Sequence, residues 1–391
     1  MSGEKNKIIN LIKKLPALIL AGFLFVFSNA ILVDAKVLPK TDSRLTIFAM
    51  DKTYEFYYPE IDFFQGGLYL KNAEQIVDGI YYDTIIKPID AKAVFNLESE
   101  NPISFEREIY GRAIDKQDLV VKIEKALLNG VSEVKAKEVV ISPKYTVEKL
   151  EKSTYRRSFF TTCYHYSSSE RKQNIALCAR LIGGRAIEPY EQFSFNEVVG
   201  ERTEERGFLN AKIIENGKFT DGVGGGVCQV SSTLYNAVLL GGLKVVERHP
   251  HSMLVSYVEP SFDAMVSSGY ADFKFVNDSD SVVFITATAT DNSITISVYG
   301  TKTEFTYERE SVVTEKIAPL DFERIESDLI EYGQEKISVF PKDGAKSEGY
   351  LKIFKNGALQ SKIKLSSDKY KPLQGTILYG KQTDDDSKTS L

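Results

Sequence analysis

The residues best suited to covalent chemistry lie in one run, Gly224-Gly225-Gly226-Val227-Cys228-Gln229. Consecutive glycines open backbone angles closed to other residues and clear space beside the thiol. Helical spacing starts directly after them. Val230, Leu234, Ala237, Val238 and Leu240 form an apolar stripe that stops at Gly241-Gly242. Cys228 therefore falls at, or one residue before, the first turn of a buried helix, where unpaired amides stabilise a thiolate. A nucleophile mounted this way needs a base. Of three histidines, His249 and His251 flank Pro250 and follow a strand over Leu243–Glu247. If that segment stays extended, both rings face one side. Asp263 and Asp272 come next, and either could orient an imidazole.

On this reading Cys228 attacks, His251 or His249 is the base, and Asp263 orients it. Gln229 or the glycine-loop amides supply an oxyanion site. Gly224, Gly225, Gly226, Ser231 and Ser232 are candidate ligand contacts. Two other readings stay open. The glycines could serve only a tight turn, with Cys228 a packed small residue. Alternatively Cys228, His249 and His251 could ligate zinc, although the CxxC-type spacing that would make this specific is missing. Nothing in the sequence asks for a cofactor.

The surrounding elements form a modular α+β chain. Early aromatics from Phe48 to Tyr69 sit in short alternating runs, read as strands. Asp115 stands at an N-cap position before Leu119, Val120, Ile123, Ala126 and Leu127, and Gly130 stops that helix. A strand over Val134–Ile141 closes this small α+β unit near residue 150. A helix over Glu170–Leu181 ends at Gly183-Gly184, with Cys178 on its apolar face. Asn216-Gly217 and Asp291-Asn292 mark two hairpins. Alternating runs from Phe305 to Gly380, broken by Pro341, Gly344 and Asn356-Gly357, read as an all-β module. A polar tail with Asp384-Asp385-Asp386 reads as disordered.

Residues 1–14 hold four lysines against Glu4, a net of +3, leaving −8 on the remainder of a chain whose formal charge is −5. That acidic body excludes nucleic acid as a partner. The basic stretch precedes an apolar run from Leu15, which is the pattern of an export signal. Ser28 and Ala30 suit cleavage. Alternatively, Leu15–Val33 as one helix would reach about 28 Å, enough to span a bilayer. The expectation is a body outside the cytoplasm, either anchored by a single N-terminal pass in the cell membrane or secreted to the wall. Three cysteines are too few for a disulfide scaffold, and a Cys163–Cys178 bridge stays open.

Several blocks together resemble the VanW family: Asn174-Ile175-Ala176-Leu177, Phe193-Ser194-Phe195-Asn196, the run from Gly224 to Asn236, Glu247-Arg248-His249-Pro250-His251-Ser252, and Tyr257-Val258-Glu259-Pro260 before Asp263-Ala264. The stretch around Gly111-Arg112-Ala113-Ile114-Asp115 is similar to a peptidoglycan-binding domain. Phe305–Gly380 is similar to a degenerate G-five domain. The resemblance implies a bacterial cell-envelope protein that binds peptidoglycan or a related wall polymer, with a link by name to vancomycin resistance. It implies this division: signal or anchor 1–36, peptidoglycan-binding domain 37–150, VanW-like domain 151–302, G-five-like module 303–381 and tail 382–391. The order of Cys on a helix, His on a strand and Asp on a later one also resembles papain-type and transglutaminase-like enzymes. That order implies an alternative function, a cysteine enzyme acting on peptide or amide bonds of the wall.

Overall fold

A computed structural model describes residues 44–57, 61–64, 67–70, 72–215 and 218–380. The expected export signal or anchor and the polar tail lie outside them. Among the described residues no helix is long and apolar enough to cross a membrane. The described residues divide into two compact units, those up to 89 with 109–143, and 90–108 with those from 144 onward.

In the first unit, strand Arg44–Ala49 pairs antiparallel with Lys52–Tyr57 and parallel with Glu133–Lys135. Helices Ala73–Thr84 and Lys116–Leu128 bury Val77, Ile80, Leu119 and Ile123 with Leu45, Ile47 and Val134. Asp115 caps the second helix, its Oδ1 accepting from the Asp118 amide at 3.1 Å, which satisfies one of the amides a helix start leaves unpaired. The strand expected over Val134–Ile141 is two. Glu133–Lys135 pairs with the first strand, whereas Glu138–Ile141 pairs with Gly111–Ile114. The chain changes sheets between them, with the Ala136 amide on the Phe48 carbonyl and the Lys137 carbonyl on the Asp115 amide.

In the second unit a hairpin, Lys92–Phe95 with Ile103–Glu106, rests Phe95 and Phe105 on Phe284, with ring centroids 6.0 and 6.1 Å apart. The chain then runs β1 (Tyr155–Cys163), α1 (Ser169–Ile182), β2 (Arg185–Ile187), β3 (Gln192–Ser194), α2 (Phe195–Val199), β4 (Asn210–Glu215), β5 (Lys218–Val223), α3 (Val227–Leu240), β6 (Lys244–Glu247), β7 (Lys274–Val276), β8 (Val283–Ala289) and β9 (Ser293–Gly300). The main sheet has the order β1-β9-β8-β2, and a second sheet has β3-β7-β6. An all-β portion follows: β10 (Phe305–Ile317), β11 (Glu323–Tyr332), β12 (Glu335–Val339), β13 (Gly344–Lys355), β14 (Ala358–Tyr370) and β15 (Thr376–Gly380). Its sheets have the orders β10-β13-β14 and β11-β15-β12. Asn356 and Gly357, both at positive φ (49° and 80°), turn β13 into β14, as the Asn-Gly pair does in a tight hairpin.

Helix α3 is buried on every side, not only along its apolar stripe. Val230, Leu234 and Val238 join the core with Ile296 and Val298 of β9. Its polar residues are sealed as well, and each finds a partner, as buried polar groups must. Thr233 meets Thr162 of β1 at 2.8 Å, and Ser158 donates to the Ala237 carbonyl at 2.6 Å. On the other side Ser231 donates to the Ala264 carbonyl at 2.5 Å, Ser232 accepts from the Ala264 amide at 2.8 Å, and Asn236 donates to the Phe262 carbonyl at 2.8 Å. This polar seam lays the segment Phe262–Ala264 along the helix. It fixes Asp263 relative to Cys228.

Candidate active site

Cys228 is the second residue of α3. Gly226 caps that helix at φ 109°, and Gly224 turns the chain at φ 85°. The loop is packed so closely that side chains would collide. A Cβ on Gly225 would stand 2.8 Å from the backbone carbon of Ala211, and one on Gly226 would stand 2.9 Å from Ile175 Cγ1. Asn174 of α1 holds the loop by donating to the Gly225 carbonyl at 3.0 Å and the Leu209 carbonyl at 2.8 Å. The contact at Gly225 is to backbone, which cannot swing aside. Gly225→Ala is therefore expected to lower unfolding free energy by about 1–3 kcal/mol, read from urea melts. A variant as stable as the parent would show that the close approach does not hold.

Imidazole and carboxylate complete the site. His251 is buried, and its Nδ1 lies 2.6 Å from Asp263 Oδ2, which also accepts from the His251 amide at 2.6 Å. The His251 ring also acts electrostatically on the Cys228 thiol, whose own hydrogen bond runs to the Val266 carbonyl at 3.5 Å. Asp263 is itself over-determined. Arg248 Nη2 donates to its Oδ1 at 2.8 Å, and Tyr370 Oη donates to the same oxygen at 2.6 Å. Arg248 in turn grips Asp368 with Nη1 at 2.8 Å from both carboxylate oxygens. Asp368 and Tyr370 come from β14, so the all-β portion supplies part of the site's support.

The electrostatics follow from these contacts. Burial pushes the Cys228 thiol up, but the hydrogen bond with His251, the charge of that ring and the nearby Arg202 together outweigh it, and the thiol sits below its ordinary value. Burial lowers His251, but its bonds to Asp263 and Cys228 carry it up to about 9. Burial raises the Asp263 carboxyl, yet His251, Arg248 and Tyr370 hold it down at about 2. No acidic side chain occupies the first turn of α3, so the helix field favours the anion unopposed. Both directions favour a thiolate beside an imidazolium. In a pH series of iodoacetamide labelling, Cys228 should titrate below the roughly 8.5 of a free thiol, and His251→Ala should move that midpoint upward. An unmoved midpoint would contradict the pairing.

Other candidates fall elsewhere. His249 faces away, with its Nε2 3.0 Å from Glu247 Oε1 and a half-exposed ring. β6 ends at Glu247, so the pleat that would aim both rings one way does not continue through Pro250. Gln229 is sealed beneath the site. Its Nε2 donates to Thr162 Oγ1 and the Cys163 carbonyl, both at 3.0 Å, and its Oε1 accepts from Arg171 at 2.8 Å. Both amide hydrogens are thus engaged, and none points at a substrate. Ser231 and Ser232 hold the Ala264 backbone instead of lining the opening. Asp272 is tied to Ser194 at 2.5 Å and to the Asn196 amide at 2.9 Å. Cys163, Cys178 and Cys228 are all free, with Cys163 exposed and Cys178 buried in the core, so Cys163 and Cys178 are not bridged. Among the described residues no three His, Cys, Asp or Glu side chains are placed to share a metal ion.

Gly224–Cys228, His251 and Tyr257 line a cleft of about 1500 Å³ that also takes in Arg171 and Arg202. Tyr257 stands edge-on to His251, with ring centroids 6.5 Å apart. Arg248, Asp368, Tyr370, Tyr257, Arg171 and Arg202 were not legible as a group in the sequence. Only Arg248 and Tyr257 sit inside blocks that draw notice.

Residues 170–299 match the family model described as "VanW like protein", and residues 64–135 match one described as "Putative peptidoglycan binding domain". Uncharacterized protein YoaR of Bacillus subtilis (strain 168) is 42% identical over 171 residues, 44% of this chain and 56% of that protein. Vancomycin B-type resistance protein VanW of Enterococcus faecalis (strain ATCC 700802 / V583) is 32% identical over 135 residues, 33% of this chain and 49% of that protein. The chain thus spans about half the length of these relatives. The solved G-five domain of an IgA1 protease aligns with 20% of this chain at 22% identity and a TM-score of 0.15, a likeness too slight to bear on function. Cys228, His251 and Asp263 all fall inside the region similar to the VanW-like model, which follows the region similar to the peptidoglycan-binding model.

Proposed function

We propose that this is a cell-wall-associated protein whose VanW-like domain transfers acyl groups at peptide or amide bonds of the wall through Cys228. The observation that carries this reading is that Cys228 shares an open cleft with His251, whose ring is locked by Asp263 at 2.6 Å and holds the thiol below its ordinary value. A thiol that merely packs has no need of an imidazole in the same cleft that is locked by a buried carboxylate. The match of residues 64–135 supports a division of labour in which the first unit holds the polymer and the second acts on it. The N-terminal basic and apolar segment supports delivery of that body to the outer side of the membrane.

The chemistry runs as acyl transfer. The Cys228 thiolate adds to the carbonyl carbon of an amide, forming the C–S bond and an oxyanion. The Cys228 amide, among those a helix start leaves unpaired, would donate to that oxygen. Imidazolium His251 then gives its proton to the departing nitrogen as the C–N bond breaks, leaving a thioester. Water or an acceptor amine next attacks the thioester, giving a proton to His251, and the thiolate leaves. Asp263 stays ionised throughout, orients the ring and steadies its charge.

Purified sacculi incubated with the full chain, then digested and analysed by mass spectrometry, test the reading. Wild type should cut or re-form a stem amide bond, and Cys228→Ala should leave the stems unchanged. Unchanged stems with wild type would contradict the enzymatic reading and leave wall binding alone.

A further inference from the structure

Resting on that reading, we infer that Arg171 and Arg202 bind a carboxylate of the substrate beside the scissile amide. The cleft therefore takes an anionic peptide, with a free carboxylate next to the bond under attack.

The two arginines bracket the glycine loop. A Cβ on Gly224 would lie 3.1 Å from Arg202 Cβ, and one on Gly226 would lie 3.1 Å from Arg171 Cγ. Cys228 follows two residues later, and its charge is felt by both guanidinium groups. Each arginine is half-buried, and the hydrogen bonds of each go to neutral acceptors. Arg171 donates to Ser167 Oγ at 2.9 Å and to Gln229 Oε1 at 2.8 Å. Arg202 donates to Ser268 Oγ at 2.9 Å and to Asn196 Oδ1 at 2.6 Å, while its Nε is buried without a partner. Buried charge ordinarily carries a counter-charge, as Arg248 does with two carboxylates. Asp263 balances the imidazolium, so the thiolate is left as the near negative charge for two guanidinium groups, with Asp272 acting on Arg202 without a bond to it. The deficit suits a carboxylate, which the planar guanidinium fork grips in two-point fashion.

The rest of the cleft agrees. Lys212 of its lining is paired with Asp221 at 3.0 Å, but Arg171, Arg202, Lys369 and Lys371 also line it, against a single lining carboxylate, Asp343, among the described residues. In a chain of net charge −5, such a local excess of positive charge draws anions to one place.

Iodoacetate and iodoacetamide probe this directly, because they alkylate thiolates by the same displacement and differ in the carboxylate. The reading is the ratio of their rates at Cys228 in the full chain, resolved from Cys163 by peptide mass. Iodoacetamide reports the thiolate fraction, so the ratio isolates recognition of the carboxylate. Wild type should favour iodoacetate relative to a small free thiol and saturate with it. Arg202→Gln and Arg171→Gln should each lower the ratio at least about tenfold, the loss expected for one charged hydrogen bond. Arg202→Lys should restore part of it. Folding of each variant is checked by circular dichroism melts. A ratio equal to that of a small thiol and unmoved by either variant would overturn the inference while leaving the reactive thiol intact. A Cys228 inert to both reagents would instead count against the enzymatic reading itself.

Discussion

Cys228→Ala should remove amide turnover, with kcat falling by about 10⁶-fold, as when a covalent nucleophile is lost and only binding and oxyanion contacts remain. His251→Ala should fall by a similar factor, because the two groups act as a unit and their effects do not add. His249→Ala should stay within a few-fold of wild type, since its ring is turned to Glu247. The measurement is initial rate on soluble stem peptides released from sacculi. The contrast between the two histidines is informative because they stand two residues apart in the chain. Equal losses at both would mean that the ring facing Asp263 is not the one in use.

Asp263→Asn should have the largest combined effect on stability and rate. The carboxylate accepts from the His251 amide, His251 Nδ1, Arg248 and Tyr370, and it is almost completely buried. An amide in its place loses the charge and turns donors toward donors. Removing one partner of a buried charge pair costs about 3–5 kcal/mol, and the lower end is expected because Arg248 keeps Asp368. A wrongly held imidazole tautomer should also reduce kcat by roughly 10⁴-fold. Urea melts and stem-peptide rates read the two effects separately. The pH dependence has a defined sign. Asp263 is depressed to about 2, so its contribution is whole above the ordinary carboxyl range and is lost as pH falls through about 2. His251 is raised to about 9, so its contribution is whole below its ordinary value of 6.5 and is lost as pH rises through 9. Asp263→Asn should flatten both limbs, and limbs as steep as in wild type would count against it.

Local signals carried the parts that depend on local chemistry. The cap at Asp115, the glycine run before α3 and the α1 core face with Cys178 all have causes within a few residues, and each element lies where its spacing points. The α+β character and the all-β C-terminal portion follow from the same kind of signal. What was not legible depends on distant chain. Tyr370 reaches Asp263, and Asp368 reaches Arg248, from more than a hundred residues away, and no spacing announces them. Gln229 reads as an oxyanion donor because it follows the cysteine, but its side chain points into β1 and Arg171. The two histidines separate because β6 ends before Pro250, and alternation predicts facing only along an unbroken pleat. Ser231 and Ser232 look like ligand groups beside a glycine loop, yet they bind the backbone that carries Asp263.

The central claim is that Cys228 becomes acylated. Acid quenching of the full chain during reaction with sacculus-derived stem peptides, followed by mass mapping, tests it most directly. The account predicts a stem fragment in thioester linkage on the peptide containing Cys228, released by hydroxylamine and absent in Cys228→Ala. Stems cleaved equally by wild type and Cys228→Ala, with no adduct on that peptide, would contradict it.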